Sequence, residues 1–554
     1  MLNGPNEMKT MRVISLKTTK SRWNTGLSLS GGAALALSGL MVWSTPAAAD
    51  GQQLIRERCL DCHTETGDAA APFSRISQLR KTPEGWEMTL NRMQALRGLK
   101  ISAEEKRELI KYLADTQGLA PAETRGLRYV LEQDRNHVEN LENEAVAGTC
   151  AGCHSGARVA LQRRSAEEWK KLVHFHMGQF PTIELIAGAR DHAWFDRTLN
   201  EVAPALSSAY PLSTPEWSQW QAAPKASLEG SWRLVGWLPE KGEFDATLSA
   251  QPQGDDRYQL KITGQYADGS ALEGNGLAQV YTGYEWRANL TLDGVPMRQV
   301  LAADENGETL QGRMFLRDAK ELGGEIRAVK AKKGLSRLLS VSPGYLKRGQ
   351  TQTLTLHGAQ LSGEIDLGEG ITLVKVLARD ADRIEVVAKA SESAGIGSRA
   401  LRVGGAQGAD LVVYDKLARV DVTPGQSIAR VGGNGGQLAK QKVAFRAVGY
   451  AAGKDGTPGT EDDLRLGYVP AQWSLKAFDE VAQADNDLKY AGTIDAETGL
   501  FIPGDAGPNP ERRMSTNNVG QLAVVATVDD GDGPVSGENH LLVAVQTFMF
   551  PVIQ

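Results

Sequence analysis

Two hydrophobic periods divide this chain. Up to about residue 222 the apolar positions recur at helical spacing. TPEGWEMTLNRMQALRG and SAEEWKKLVHFHMG each read as an amphipathic helix opened by a tryptophan, Trp86 in one and Trp169 in the other. Between them, ISAEEKRELIKYLAD places Ser102 and Glu105 as a capping box. Leu109, Ile110 and Leu113 form the buried stripe of that helix. From GSWRLVGW onward the pattern becomes strand-like. Trp232, Leu234 and Gly236 alternate with Arg233, Val235 and Trp237, and YQLKITGQY, TLQGRMFLRD and GGEIRAVKA continue the alternation between glycine and aspartate turns. Such a meander closes into an up-and-down barrel, with an open sandwich as the alternative. LLSVSPGYLKRGQTQTLTLHG opens a new unit near Leu338, and ARVDVTPGQSIARVGG opens another near Leu417. Both have the short strands of immunoglobulin-like sandwiches.

Composition narrows the class. A chain of 554 residues predicts several domains, and 41% hydrophobic residues let each bury a core. A net charge of −6 argues against a nucleic-acid binder. The N-terminus carries Lys9, Arg12, Lys17, Lys20 and Arg22. An apolar, small-residue stretch from Thr25 to Ser44 follows, then Pro46 and Ala47-Ala48-Ala49. This predicts a cleaved secretory signal peptide over 1–49, rather than an uncleaved anchor, and hence a periplasmic chain in a bacterium with two membranes. No later stretch is long and apolar enough to span a bilayer.

The four cysteines occur as CLDCH (Cys59, Cys62, His63) and CAGCH (Cys150, Cys153, His154). Two disulfides or a four-cysteine zinc site would use the thiols but leave the adjacent histidine unexplained, twice. C-x-x-C-H attaches c-type haem: two thioethers fix the porphyrin edge and place the histidine under the iron. Two covalently bound haem c groups are therefore expected, on Cys59, Cys62, Cys150 and Cys153.

Sixth ligands follow from comparing the two helices. Met93 follows Trp86 by seven residues, and His176 follows Trp169 by seven. Seven residues are two turns, so the two side chains occupy equivalent faces. The expected ligand pairs are His63 with Met93 and His154 with His176; Met88, His174 and Met177 are the reserves. A thioether raises the reduction potential relative to a second imidazole, giving electron flow a direction. The expected fold class is multidomain: an α-helical duplicated cytochrome c domain (50–222), an antiparallel β-barrel (223–337), and immunoglobulin-like sandwiches over 338–416 and 417–554.

His137 and His192 read as surface or partner-binding histidines, with one of them a further alternative to His176 as ligand, and His357 and His540 read as isolated. Two acidic loops are candidate calcium sites, one with Asp455, Glu461, Asp462 and Asp463, the other with Asp529, Asp530 and Asp532. Neither matches the twelve-residue EF-hand register, and solvated hairpins are the expected reading. No nucleophile–base set, phosphate loop or nucleotide fingerprint appears, so the chemistry in view is one-electron transfer.

The two C-x-x-C-H motifs, the Trp-to-Met and Trp-to-His pair and the order of the β domains resemble the α subunit of quinohemoprotein amine dehydrogenase, over the whole mature chain. The resemblance implies a periplasmic heterotrimer with a β-propeller subunit and a small subunit bearing a tryptophan-derived quinone. That quinone oxidises a primary amine to an aldehyde with release of ammonia. Electrons pass through the two haems to an external cytochrome c or blue copper protein. The motif positions that carry over are Cys59, Cys62, His63, Cys150, Cys153 and His154. The family's one Met-ligated and one bis-His haem is consistent with Met93 and His176. With every cysteine used by haem, this chain has none left for a cysteine–tryptophan cross-link. A stand-alone dihaem carrier, a dihaem peroxidase and a scaffold with incidental haem are the rival readings.

Overall fold

The structure is a computed structural model, and it describes residues 51–151, 153–185, 193–512 and 515–546. The expected signal peptide, and His192, lie outside them. Helix α1 (Gly51–Arg58) leads into the first cysteine motif, strand β1 (Leu79–Lys81) precedes helix α2 (Pro83–Arg97), and helix α3 (Ala103–Thr116) packs on both helices. Thr82 caps α2 by accepting from the Gly85 N–H, and Gly98 ends it. At φ 72° Gly98 takes the left-handed turn that glycine allows, and its N–H closes on the Met93 carbonyl. Ser102 and Glu105 complete a reciprocal capping box on α3, whose Leu109, Ile110 and Leu113 are buried. Helices α4 (Pro121–Thr124), α5 (Glu144–Thr149) and α6 (Ala157–Ala160), strand β2 (Gln162–Arg164) and helix α7 (Ala166–Gln179) follow.

β1 and β2 pair antiparallel, with Leu79 opposite Arg164 and Lys81 opposite Gln162. Alternation sends Arg80 and Arg163 together to one face of this ribbon. There Arg80 donates from both terminal nitrogens to Glu123 at 2.8 Å, and Arg163 Nε donates to the same carboxylate at 3.0 Å. Burial works against the charge on Glu123, but the two guanidinium groups outweigh it and hold its carboxyl below the usual range.

Eight strands then close a barrel in meander order. They are Gly230–Leu238, Gly242–Pro252, Arg257–Tyr266, Ala271–Tyr281, Glu285–Leu292, Val295–Ala303, Thr309–Leu316 and Gly323–Lys330. The last pairs with the first, Ile326 opposite Gly236. Trp232, Leu234, Leu248, Ile262, Trp286 and Leu290 belong to its buried core. Beyond it, Arg337–Ser342, Thr351–Ala359, Arg383–Ala390 and Ile371–Arg379 form a four-stranded sheet in that order. A second four-stranded sheet runs Ser427–Arg430, Pro534–Ala544, Gly520–Asp529 and Gln472–Ala477. Each has smaller companion sheets and a separate apolar core.

The expected fold class needs correction. Strands hold 40% of the residues and helices 22%, so the chain is mostly β, and the expected α-helical duplicated cytochrome c domain is not supported. Many of the helices before the barrel are only four to eight residues long, and a π turn interrupts them at Thr198–Val202. Helices this short do not stand alone. Some are held from outside the helical region, since Ala120 and Trp220 belong to the barrel core and Leu119, Leu131 and Leu161 cluster with Val300 and Phe315 of the barrel, while Val146, Val159, Trp169, Val202 and Leu206 pack on one another. Helical periodicity marks an apolar face, not what covers it, and here strands cover part of it. The all-β expectation for the rest of the chain fits.

Candidate functional site

The first cysteine motif continues the last turn of α1. The Cys59 N–H donates to the Ile55 carbonyl, and the Cys62 and His63 N–H groups both donate to Cys59 O at 3.2 and 3.0 Å. Cys59 is half-buried and Cys62 exposed, and both are free thiols. The His63 ring places Nδ1 3.0 Å from the Ser74 carbonyl. A carbonyl can only accept, so Nδ1 carries the proton and Nε2 keeps its lone pair.

The second motif repeats this geometry after α5. Cys150 N–H donates to Val146 O, and the Cys153 and His154 N–H groups donate to Cys150 O at 3.2 and 3.4 Å. His154 Nδ1 lies 3.0 Å from Ser155 O, again leaving Nε2 available. On α7, His176 Nδ1 lies 2.8 Å from Leu172 O, with the same consequence. Burial lowers the affinity of both imidazoles for a second proton, and charge on His154 adds to the effect at His176. The two rings therefore lie within electrostatic reach of each other, both biased to the neutral form that a metal requires.

A residue the sequence did not single out holds the second motif in place. Glu139 accepts from the N–H groups of Gly156 and Ala157 at 2.8 and 3.1 Å, from the Tyr129 hydroxyl at 2.5 Å, and from the Ser155 hydroxyl. Burial opposes its charge, but these four donors take its carboxyl down to about 2. No motif announces it, because it acts through backbone amides in a loop.

The remaining expected ligands fall out as follows. Met93 is half-buried on α2, on the face of the fully buried Trp86 and two turns beyond it. The structure joins its helix to the one leading into His63 through α3, on which both pack. Among the reserves, Met88 is half-buried, and Met177 is packed into the cluster of Val146, Trp169 and Val173. His174 is exposed and edge-on to Phe195 at 5.2 Å. His137 is exposed and stacks on Tyr129 at 3.8 Å. His357 is not isolated: its Nδ1 is 3.7 Å from Asp245 of the barrel. Nor is His540, which stacks on Phe478 at 3.8 Å.

The donor set fits covalent haem better than its rivals. Burial raises the Cys59 thiol and pushes Cys150 up to about 11, so both stay protonated without a bound group. Among the described residues no three histidine, cysteine or acidic side chains converge on a metal position. Both motifs instead offer two free thiols and an imidazole whose outer nitrogen is fixed by a carbonyl, the second-shell arrangement that orients a metal-binding histidine. The acidic loops spend their carboxylates internally. Asp462 accepts from the Lys454 and Asp455 amides, and Asp463 from Gly459 N–H and Arg419. Asp530 accepts from Leu417 N–H and pairs with Lys347.

Residues 49–217 match the haem-binding segment of the quinohemoprotein amine dehydrogenase α subunit, and 225–331, 335–415 and 420–553 match its domains II, III and IV. The chain belongs to that α-subunit family. As an α subunit it is one part of an oxidoreductase complex, and both cysteine motifs lie in its haem-binding segment. No curated protein matches it. Among solved structures it is similar to a redesigned β-barrel, mFAP1, bound to DFHBI, at 20% identity over 19% of this chain and 94% of that one, TM-score 0.16. It is also similar to mouse clustered PcdhgC3 EC1-3, at 15% identity over 43% and 76%, TM-score 0.16. A third is the Yersinia pseudotuberculosis adhesin InvE, at 13% identity over 37% and 58%, TM-score 0.12. These scores carry no argument about function. Among the described residues no helix of the α subunit is long and apolar enough to cross a membrane.

Proposed function

We propose that this α subunit holds two covalently bound haem c groups and passes electrons from a quinone on a small partner subunit to an external cytochrome c or blue copper protein in the periplasm. Bound haem c supplies a one-electron couple whose potential follows its axial ligands. In this reading Cys59 and Cys62 attach the first haem, with His63 and Met93 facing its iron. Cys150 and Cys153 attach the second, with His154 and His176 facing its iron.

The observation that carries the reading is the tethered imidazole. His63, His154 and His176 each tie Nδ1 to a backbone carbonyl and keep Nε2 for a metal. Ser74, Ser155 and Leu172 thus fix tautomer and ring orientation, and Glu139 fixes the loop behind His154. The quinone belongs elsewhere, because all four cysteines of this chain are spent on haem in this account. A β-propeller subunit and the quinone subunit complete the heterotrimer.

The test uses the native assembly from its source. A primary amine is added anaerobically and the haem bands are followed, while the separated chains are stained for quinone and for haem. Reduction of haem by the amine, with quinone on a small chain and haem on this one, is expected. Haem that stays oxidised under amine, or quinone stain on this chain, would refute the reading.

A further inference from the structure

The β1–β2 ribbon has two charged faces, and they are treated differently. On one, Arg80 and Arg163 share the carboxylate of Glu123. On the other, Lys81 and Arg164 are 3% and 6% exposed, and they donate to neutral acceptors: Lys81 to Thr89 Oγ1 at 2.6 Å and Arg164 to Gln162 Oε1 at 2.6 and 3.2 Å. Each cation lies near the tryptophan that opens the neighbouring helix, Lys81 at 5.2 Å from Trp86 and Arg164 at 5.4 Å from Trp169.

A third cation joins them where α2 meets α7. Arg92 stands 4.8 Å over the ring of Phe175. Among the described residues, the carboxylate that acts on Lys81 and Arg164 is Glu168, and it is already held by Arg75 in a bidentate pair at 3.0 Å and by Lys171 at 3.2 Å. Four cations, Arg75, Lys81, Arg92 and Arg164, therefore act on one another around this acid. Burial, reinforced by Arg164, Arg92 and Arg75, drives the Lys81 ammonium well below its usual range, and burial with Arg92 brings Arg164 down to about 10. Cation–π contact does not offset the loss of hydration for charges buried this deeply; a bound anion does.

The position of the cluster says which anion. Arg92 directly precedes Met93, Phe175 directly precedes His176, and Arg164 and Arg158 act electrostatically on the His176 ring. The cluster thus lies within electrostatic reach of the His176 ring, and a haem held there would bring two propionate carboxylates. We propose that Lys81, Arg92 and Arg164 are a propionate-binding set that neutralises haem carboxylates where the helix carrying Met93 meets the helix carrying His176. The proposal rests on the two-haem reading above. Arg and Lys suit the task, the guanidinium as a bidentate fork and the ammonium as a point charge.

The test is made on the holo-protein, in a buffer free of phosphate and sulfate. Lys81→Met, Arg164→Met and Arg92→Met are compared with wild type and with the charge-retaining Lys81→Arg and Arg164→Lys. Covalent haem is counted first, by pyridine haemochromogen and chain mass. Each haem is then titrated potentiometrically from pH 5 to 9. A paired propionate stays ionised across this range. Losing its cation favours the ferric state and lets the propionate take up a proton.

One haem of a methionine variant should therefore become harder to reduce by about tenfold, which is about 59 mV for one electron. Its potential should also begin to fall as pH rises through the freed propionate. The charge-retaining variants keep the positive charge and should shift the potential by much less than the methionine variants. Methionine variants that keep two haems with unchanged potentials and pH profiles would overturn the proposal. So would a wild-type potential that follows added phosphate, which would assign the cluster to a solution anion. Should one ribbon variant fail to fold, Arg92→Met on α2 gives the same readout. A wild-type chain without two covalent haems would refute the two-haem reading itself, a result distinct from either of these.

Discussion

Arg92 and Phe175 meet across two helices, the guanidinium 4.8 Å from the ring centroid. Each sits one residue before a proposed iron ligand, so the contact fixes how α2 and α7 approach one another beside Met93 and His176. A double-mutant cycle with Arg92→Met and Phe175→Leu should show a coupling of about 0.5–2 kcal/mol in denaturant unfolding of the holo-protein. Additive effects would mean that the contact does not hold the helices together.

Glu123 is a buried acid outside the motifs on which several partners depend. It neutralises Arg80 and Arg163 and accepts from Ala120 N–H and Thr214, all near the seam between helices and barrel. Removing one member of a buried ionic set leaves its partners uncompensated, at a cost of about 3–5 kcal/mol. Glu123→Ala should lose stability of that order in urea unfolding. Replacing exposed Glu104, which pairs with Arg107 on the surface of α3, should cost less than about 1 kcal/mol.

Glu285, at the start of the fifth barrel strand, makes stability depend on pH. It is 1% exposed, and neither of its oxygens has a hydrogen-bond partner. Burial pushes its carboxyl up to about 8; Arg287 and Arg128 oppose this, Glu84 and Asp115 add to it, and Arg287 is engaged bidentately by Glu84. The folded state therefore binds a proton here that the unfolded state releases near its ordinary pKa of about 4.3. Stability is fully present below that value and is lost as pH rises toward about 8. Glu285→Gln should flatten this decline, with a melting temperature above wild type at pH 8.5 and near it at pH 4. Parallel pH profiles would refute the assignment.

Met93→Ala tests the ligand proposed for one haem alone. It should alter the optical spectrum and lower the potential of one haem, since a thioether favours the ferrous state, and leave the other intact. Two haems with wild-type spectra would remove Met93 from the iron.

Much of the β architecture is legible in the chain because strand alternation is local: YQLKITGQY reads as a strand, and Arg257–Tyr266 is one. Caps are equally local, as Ser102 with Glu105 shows. The cysteine motifs are legible for the same reason, since the turn that groups Cys59, Cys62 and His63 spans five consecutive residues. The weight of the helical region was not legible. Periodicity marks the buried face of a segment, whereas Trp220 and Leu119 are buried by barrel residues far along the sequence. No local pattern marks Arg80, Arg163 and Glu123, which the ribbon register and α4 bring together. Lys81 and Arg164 were hidden in the same way, by a pairing between segments some eighty residues apart.

Haem stoichiometry, resolved by motif, tests the central claim most directly. Mature chain exported with cytochrome c maturation should carry the mass of two haems and keep both after denaturation. Cys59→Ala with Cys62→Ala, or Cys150→Ala with Cys153→Ala, should each leave one. A wild-type chain carrying no covalent haem, or one haem unaffected by either pair of substitutions, would contradict the account.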